Sequence, residues 1–162
     1  MDNTANRDWL TKEEAEAFIG KNSSYYLGMW KTHSNSKRKG INFAALFFAI
    51  EWMSYRKMYI EALLYFLSAA IISIAVHSIL TLLGRIWFDS PILIREIFRV
   101  FAFLFGNALY RNKALRTFRK TANMSESERL DYLRSRSGTS VIGLIVCLLI
   151  QIAYIFLMIP IW

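Results

Sequence analysis

The stretch VIGLIVCLLIQIAYIFLMIPIW, residues 141–162, decides the fold. Its 22 residues include no charged side chain, and as an α-helix they would extend for about 33 Å. The hydrocarbon core of a bilayer is about 30 Å thick, so a helix of this length can cross it. Hydrophobic residues make up 55% of the chain, above the roughly 45–50% of soluble domains. The sequence therefore predicts an all-α integral membrane protein.

A second apolar stretch, residues 59–84, predicts another crossing. From Ala62 to Leu83 the residues are mainly apolar, with serines and His77 as the chief interruptions. A transmembrane helix needs about 20 such residues. Ala62, Ala69 and Ser73 recur on one face with His77, and small residues allow helices to approach closely in lipid. We expect this face to pack against another helix.

Residues 92–110 contain charges and are nevertheless expected to cross. Arg95, Glu96 and Arg99 lie near the start of this stretch, and a charged side chain costs about 2.5–3.5 kcal/mol at the centre of a span. If the stretch did not cross, the eight Lys and Arg residues of 111–137 would be left outside. The sequence therefore predicts about three transmembrane helices, two of them in a hairpin over 59–110 and the third at 141–162.

The apolar run INFAALFFAIEWM, residues 41–53, is too short to cross. Its 13 residues would extend for about 20 Å as a helix. Basic residues lie on both sides of it, and a crossing would force one group through the membrane. We therefore predict a re-entrant or interfacial helix over residues 41–58, with Glu51 as a partner for Arg56. The flanking basic residues are Lys37, Arg38, Lys39, Arg56 and Lys57.

The polar segments 1–40 and 111–140 are expected to be cytoplasmic and helical. Two capping boxes, Thr11 with Glu14 and Ser125 with Glu128, predict helix starts. The first helix should run from Lys12 to Ile19 and end at Gly20. A second helix is expected to present one face, and a polar, basic linker follows it up to residue 40. The residues of that face are Tyr26, Met29, Trp30 and His33.

The formal net charge of +8 is consistent with binding to nucleic acid or to anionic lipid. Because the basic residues flank the apolar runs, they indicate membrane topology and argue against nucleic acid. The N-terminus is then expected in the cytoplasm and the C-terminus outside. The basic residues either contact anionic headgroups or a cytosolic partner, or only determine the topology. They are Lys37, Arg38, Lys39, Arg56, Lys57, Arg111, Lys113, Arg116, Arg119 and Lys120.

Four ionisable residues are candidates for an intramembrane polar cluster: His77, Arg95, Glu96 and Arg99. In an antiparallel hairpin, His77 would lie at the depth of Glu96 and Arg99, and such a cluster can serve as a proton or anion pathway. The alternative is pairing of Glu96 with Arg99 along one helix, with Arg95 extended to the headgroups.

Catalytic motifs do not stand out. The sequence has no Gly-rich phosphate loop with its lysine, no HExxH and no GxSxG. The single cysteine, Cys147, excludes an intramolecular disulfide and a cysteine metal cluster. We therefore expect no enzyme activity, no metal and no cofactor.

Several stretches resemble the domain-of-unknown-function family 2628, which comprises small bacterial membrane proteins. The most specific is the aromatic-rich run that ends in YRKMY at Tyr55–Tyr59. At two places where the family usually has Trp-Ala and Gly-Pro, this chain has Phe43-Ala44 and Ala49-Ile50. The resemblance implies a bacterial inner-membrane location and no particular activity. The similar stretches are FIGKNSSYYLGMWK, NFAALFFAIEWMSYRKMYIEALL, GNALYRNKALRTF and SGTS.

Three functions follow from these observations. The first is a non-enzymatic, multi-pass inner-membrane protein that acts through protein partners, as an accessory, scaffold or self-associating subunit. The second is a subunit of an oligomeric transporter or channel, for which the intramembrane charges are the evidence. The third is an immunity protein against a membrane-active toxin, which fits a small multi-span protein but which no particular residue supports.

Overall fold

The computed structural model describes residues 10–32, 40–84, 90–136 and 138–158. These residues form helices and no strand, which confirms the all-α fold. In chain order the helices are α1 (Lys12–Ile19), α2 (Ser23–Thr32), α3 (Phe43–Phe47), α4 (Ala49–Tyr55), α5 (Tyr59–Leu82), α6 (Ser90–Arg119), α7 (Glu126–Arg136) and α8 (Val141–Met158).

The chain forms two compact units, and neither is continuous in sequence. Unit 1 comprises residues 1–41 and 104–140, and unit 2 comprises residues 42–103 and 141–162. The sequence suggested separate N-terminal and basic segments, 1–40 and 111–140. Both belong to unit 1, because helix α1 packs against α7.

Helix α1 begins and ends where the sequence predicts. The backbone N–H of Glu14 donates to the Thr11 hydroxyl (3.2 Å), and the Glu14 carboxylate accepts from the Thr11 N–H (2.9 Å), which completes the capping box. The helix stops at Gly20, whose φ of 69° is a conformation that glycine adopts easily. The second box is also confirmed, since Ser125 and Glu128 exchange the corresponding hydrogen bonds ahead of α7.

The core of unit 1 is aromatic. Phe18 of α1 packs against Tyr110 of α6 with ring centroids 5.8 Å apart, and Tyr26 of α2 lies 5.0 Å from the same ring. Trp30 completes this cluster and is buried with Tyr26, as the predicted face of α2 requires. His33, the last residue predicted for that face, lies outside the described residues.

In unit 2, the short apolar run forms two helices instead of one. Asn42 caps α3 by accepting a hydrogen bond from the Ala45 N–H at 3.0 Å. The chain then departs from helical geometry at Phe48, with φ −131° and ψ 56°, and α4 begins at the next residue. No glycine or proline is needed for this break. Helices of 5 and 7 residues extend for only about 8 and 11 Å, so neither can cross a bilayer alone.

Two helices are long and apolar enough to cross a membrane, judged by length and composition. One is α5, and the other lies in Glu126–Ala153, a stretch whose apolar part belongs to α8. Both expose large apolar side chains, among them Ile60 and Leu82 of α5 and Ile142 of α8. Helix α6 has 30 residues but is charged near its start, so the structure alone supports two spans and not the predicted three.

Candidate functional site

A polar contact joins α4 to α8 inside the apolar part of unit 2. The Gln151 side-chain amide donates to the Glu51 carboxylate at 3.0 Å and to Cys147 Sγ at 3.3 Å. The sequence suggested Arg56 as the partner of Glu51, but the ion pairs of the described residues do not include that one. Gln151 is the single side-chain amide in the run 141–162. A lone polar group in an apolar span is a sign of a functional or structural contact, and this signal could have identified Gln151 from the sequence.

Helices α4 and α8 approach each other closely at Gly143. A Cβ atom built on this residue would lie 2.7 Å from Tyr59 Oη and 3.0 Å from the Ser54 carbonyl oxygen. Real Cβ contacts essentially never fall below 3.0 Å, so only glycine fits here without a shift. Gly143 therefore sets the spacing between α8 and the α4–α5 turn.

A pocket of about 440 Å³ lies beside this contact, between α4, α5 and α8. Its volume falls in the range of roughly 300–1,000 Å³ that is typical of small-molecule sites. The walls are almost entirely apolar, with Gln151 and the Tyr59 and Ser54 side chains as the polar members. The lining residues are Ile50, Ser54, Tyr59, Ala62, Leu63, Phe66, Ile142, Gly143, Val146, Cys147, Ile150 and Gln151.

Of the residues predicted to pack helices together, Ala62 is buried and lines this pocket. Ala69 and Ser73 are half-buried and lie further along α5, away from the pocket. Of the small-residue face of α5, only Ala62 therefore belongs to this pocket. The pocket also involves α4 and α8, and the sequence did not predict that these helices pack against that face.

Three of the four predicted intramembrane charges come together. Glu96 accepts from Arg99 at 2.9 Å and from Arg95 at 3.2 Å. Arg95 and Glu96 are exposed on α6, and Arg99 is half-buried. This is the intra-helix pairing that the sequence allowed as an alternative. Within the described part of the chain, no hydrogen bond or ion pair joins the His77 side chain to this group.

The register of α5 against α6 explains why His77 lies apart. The ring of Tyr65 packs edge-on against Phe98, with centroids 5.3 Å apart. This contact brings Tyr65, and not His77, to the level of Glu96. His77 lies twelve residues further along α5, which is about 18 Å in a helix. The equal depths expected for a symmetric hairpin are therefore wrong for this pair of helices.

The predicted basic surface is partly buried. Arg56 is only 6% exposed, and its guanidinium lies 6.0 Å from the Tyr55 ring centroid. Lys57 has a positive φ of 56° in the turn that leads into α5. Arg111 and Lys113 are half-buried, whereas Arg116, Arg119 and Lys120 are exposed. Contacts of these residues with headgroups stay a prediction, and Lys37, Arg38 and Lys39 lie outside the described residues.

Asn107 has a structural role in unit 1. Its side-chain amide donates to the carbonyl oxygens of Gly40 at 3.3 Å and Ile41 at 3.0 Å. The residue is 1% exposed, and a buried amide of this kind requires such partners. Asn107 thus ties α6 to the segment that precedes α3, as part of the stretch GNALY that also supplies Tyr110 to the core.

Metal binding has no evident location in the described ranges. Among residues 10–32, 40–84, 90–136 and 138–158, no group of three His, Cys, Asp or Glu side chains is placed to hold an ion.

A family model described as protein of unknown function (DUF2628) matches residues 14–116. The matched range contains most of α1, all of α2 to α5 and nearly all of α6, including the core residues Tyr26, Asn107 and Tyr110. Helices α7 and α8 lie beyond it. No curated protein and no solved structure matches the chain.

Proposed function

We propose a function for this chain, which belongs to the DUF2628 family of proteins of unknown function. It is a non-enzymatic, multi-pass protein of the bacterial inner membrane that acts through protein partners. In this proposal α5, α6 and α8 cross the bilayer, and unit 1 is the cytoplasmic surface at which partners bind.

The two chain segments that make up unit 1 support a third crossing. The chain leaves this unit after residue 41 and returns to it at residue 104. A chain that starts and ends on one side of a membrane must cross it an even number of times. If α5 crosses once, α6 is the helix that brings the chain back. Its 30 residues extend for about 45 Å. Residues 90–103, which lie outside unit 1, supply about 21 Å of this length, so a crossing of about 30 Å also needs the first turns of α6 within unit 1.

The charges on α6 are compatible with that crossing. Glu96 neutralises Arg99 and Arg95 through its ion pairs, and the three residues lie within the first third of the helix. A long basic side chain near the end of a span can extend to the headgroups. The cost of the charges is therefore well below that of three isolated charges at the bilayer centre.

Basic residues support the cytoplasmic assignment of unit 1. Its segment 111–137 contains eight Lys and Arg residues, and cytoplasmic loops are rich in them. The exposed side chains of Arg116, Arg119 and Lys120 would each gain about 1 kcal/mol near an anionic leaflet. Helix α8 then crosses outward.

The observation that carries the proposed function is the joining of both polar parts of the chain into one unit. The buried carboxylate of Glu14 and the largely buried guanidinium of Arg129 lie 3.3 Å apart and connect the two halves of the unit. A folded polar unit attached to membrane helices presents a fixed surface, which is what binding to a partner requires. No catalytic motif in the sequence points to a different role.

Site-specific photo-crosslinking in native membranes tests the proposal. A photoreactive amino acid at position 119, exposed in unit 1, should give discrete adducts with one or a few proteins that mass spectrometry can identify. The same group at position 75, exposed on α5, should give mainly lipid adducts. A protein that remains monomeric and gives no protein adduct at position 119 would rule the proposal out.

A further inference from the structure

We propose that the pocket between α4, α5 and α8 binds a neutral lipid with a single acyl chain, of the monoacylglycerol type. The headgroup of this lipid contacts the hydroxyl groups of Ser54 and Tyr59, and its chain lies along α8. The inference rests on the crossing of the bilayer by α5 and α8, which is part of the function proposed above, and it does not depend on the protein partners.

The pocket opens onto the outer surface of α5 and α8, which lipid surrounds when these helices cross the bilayer. Four of the residues that line it expose between 48% and 76% of their surface: Leu63, Ile142, Val146 and Ile150. A ligand therefore enters from the hydrocarbon of the membrane. An apolar cavity of only about 150 Å³ already stays dry and binds hydrocarbon, so this larger space of about 440 Å³ favours a lipid chain over water.

The extent of the pocket along α8 matches one leaflet of a bilayer. Among its lining residues, Gly143 lies two positions after Val141, where α8 begins, and Ile150 lies nine positions after it. These positions correspond to about 3 Å and about 14 Å along the helix. Half of the hydrocarbon core measures about 15 Å. The pocket thus extends from one face of the membrane to its middle, as the chain of a single lipid does.

Two hydroxyl groups lie at the end of the pocket near the membrane surface. A Cβ atom on Gly143 would lie 2.7 Å from Tyr59 Oη and 3.0 Å from the Ser54 carbonyl oxygen, so both residues adjoin the start of α8. Ser54 is only 5% exposed. Within the described ranges, neither hydroxyl group makes a hydrogen bond. Since a hydroxyl without a partner is unfavourable in apolar surroundings, this end of the pocket suits a hydroxyl or ester headgroup.

The remaining lining residues exclude a charged headgroup. All of them are neutral, and a charge moved there from water would have no counter-charge in the lining to offset its lost hydration. At the deep end, the Gln151 amide already donates to Glu51 and to Cys147 Sγ. The deep end therefore suits an acyl chain, and the volume corresponds to a single small ligand.

Two lipids with the same chain test the inference. Native mass spectrometry of the full-length protein, released from detergent micelles during a titration, should show saturable binding of one 1-monooleoylglycerol per chain. An excess of 1-oleoyl lysophosphatidic acid, which adds a phosphate to the same molecule, should not displace it. Ser54→Ala combined with Tyr59→Phe should weaken binding at least tenfold with an unchanged melting temperature. Ser78→Ala, on an exposed position of α5, is the control and should bind as the wild type does.

Variants that fill the pocket test its location. Ala62→Phe from α5 and Val146→Phe from α8 each place a ring in the pocket and should abolish binding, so one of them suffices if the other does not fold. Ala75→Phe, on an exposed position of α5, should have no effect.

Three results would overturn the inference: displacement by lysophosphatidic acid, wild-type affinity without the two hydroxyl groups, or wild-type affinity in a folded variant with a filled pocket. Each of them would leave the crosslinking test of the partner surface unaffected, so the two proposals can fail separately.

Discussion

Glu14 and Arg129, 115 positions apart in the sequence, form an ion pair inside unit 1, with Arg129 Nη1 3.3 Å from Glu14 Oε1. The Glu14 side chain is 7% exposed and the Arg129 side chain is 13% exposed. Glu14 also belongs to the capping box of α1. One carboxylate therefore both starts the first helix and joins it to α7.

Replacement of Glu14 by glutamine should destabilise unit 1 by about 3 kcal/mol, because it leaves a buried guanidinium without its counter-charge. Glutamine is also accepted in a capping box, so the helix start is preserved. The matched control is Glu16→Gln, which breaks an exposed pair with Lys12 and should cost less than about 1 kcal/mol. Urea unfolding in mild detergent measures both, and equal effects would contradict the prediction.

Asn107→Asp should be among the most damaging single substitutions in unit 1. It replaces a donor by a carboxylate that faces the carbonyl oxygens of Gly40 and Ile41. An unsatisfied and repulsive buried group of this kind costs about 3 kcal/mol or more. Asn112→Asp, on an exposed position five residues further along α6, provides the control and should be nearly neutral. Thermal melting followed by circular dichroism distinguishes the two outcomes.

Gly143→Ala should loosen the packing of α8 in unit 2. The added methyl group would meet the Ser54 carbonyl oxygen at 3.0 Å and Tyr59 Oη at 2.7 Å, and overpacking of this kind costs about 1–3 kcal/mol. Gly28→Ala in α2, where a Cβ has nothing within 4 Å, should be neutral or stabilising because alanine favours helices. A Gly143→Ala protein that melts at the wild-type temperature would be evidence against the close approach.

The start of α7 should depend on pH. A hydrogen bond from the Ser125 hydroxyl, with another from its backbone N–H, lowers the pKa of Glu128 below its usual value. The contribution of this cap is therefore present above the ordinary pKa of a glutamate and is lost as the pH falls through the lowered value. Ser125→Ala should raise the pKa of Glu128, which NMR titration of its carboxyl carbon can follow. An unchanged value would exclude the hydroxyl as the cause.

Cysteine accessibility tests the proposed topology. In a Cys147→Ser background, a cysteine at position 36 or 122 should be protected from an impermeant thiol reagent in intact cells, and a cysteine at position 88 should react. Permeabilised cells provide the control, since all three should then be labelled. The reverse pattern would invert the proposed orientation, and protection at all three positions would argue against the α5–α6 crossing.

Local signals in the sequence predicted local structure well. The capping boxes at Thr11 and Ser125 and the end of α1 at Gly20 depend on residues within one or two turns, so the pattern contains the whole cause. The family resemblance is confirmed over residues 14–116, whereas the stretch SGTS at 137–140 lies beyond the matched range.

Tertiary relationships were not accessible in the same way. Nothing in the pattern says that Glu51 meets Gln151 instead of Arg56, or that Tyr65 meets Phe98 and so displaces His77 from the level of Glu96. The break at Phe48 was also not predicted, because neither glycine nor proline lies there. In the structure, the helix that follows it, α4, packs against α5 and α8.

Unit 1 is formed by two segments that are far apart in the sequence, and this has a consequence for biosynthesis. Ribosomes add roughly 5–20 residues per second, so Arg129 emerges on the order of 6–25 seconds after Glu14, which precedes it by 115 positions. During this interval α1 can pack against α2 and, once α6 is made, against Tyr110, but its partners on α7 are still missing. Translation speed and the availability of chaperones should therefore affect the yield of this protein more than that of one whose domains finish folding in the order in which they are made.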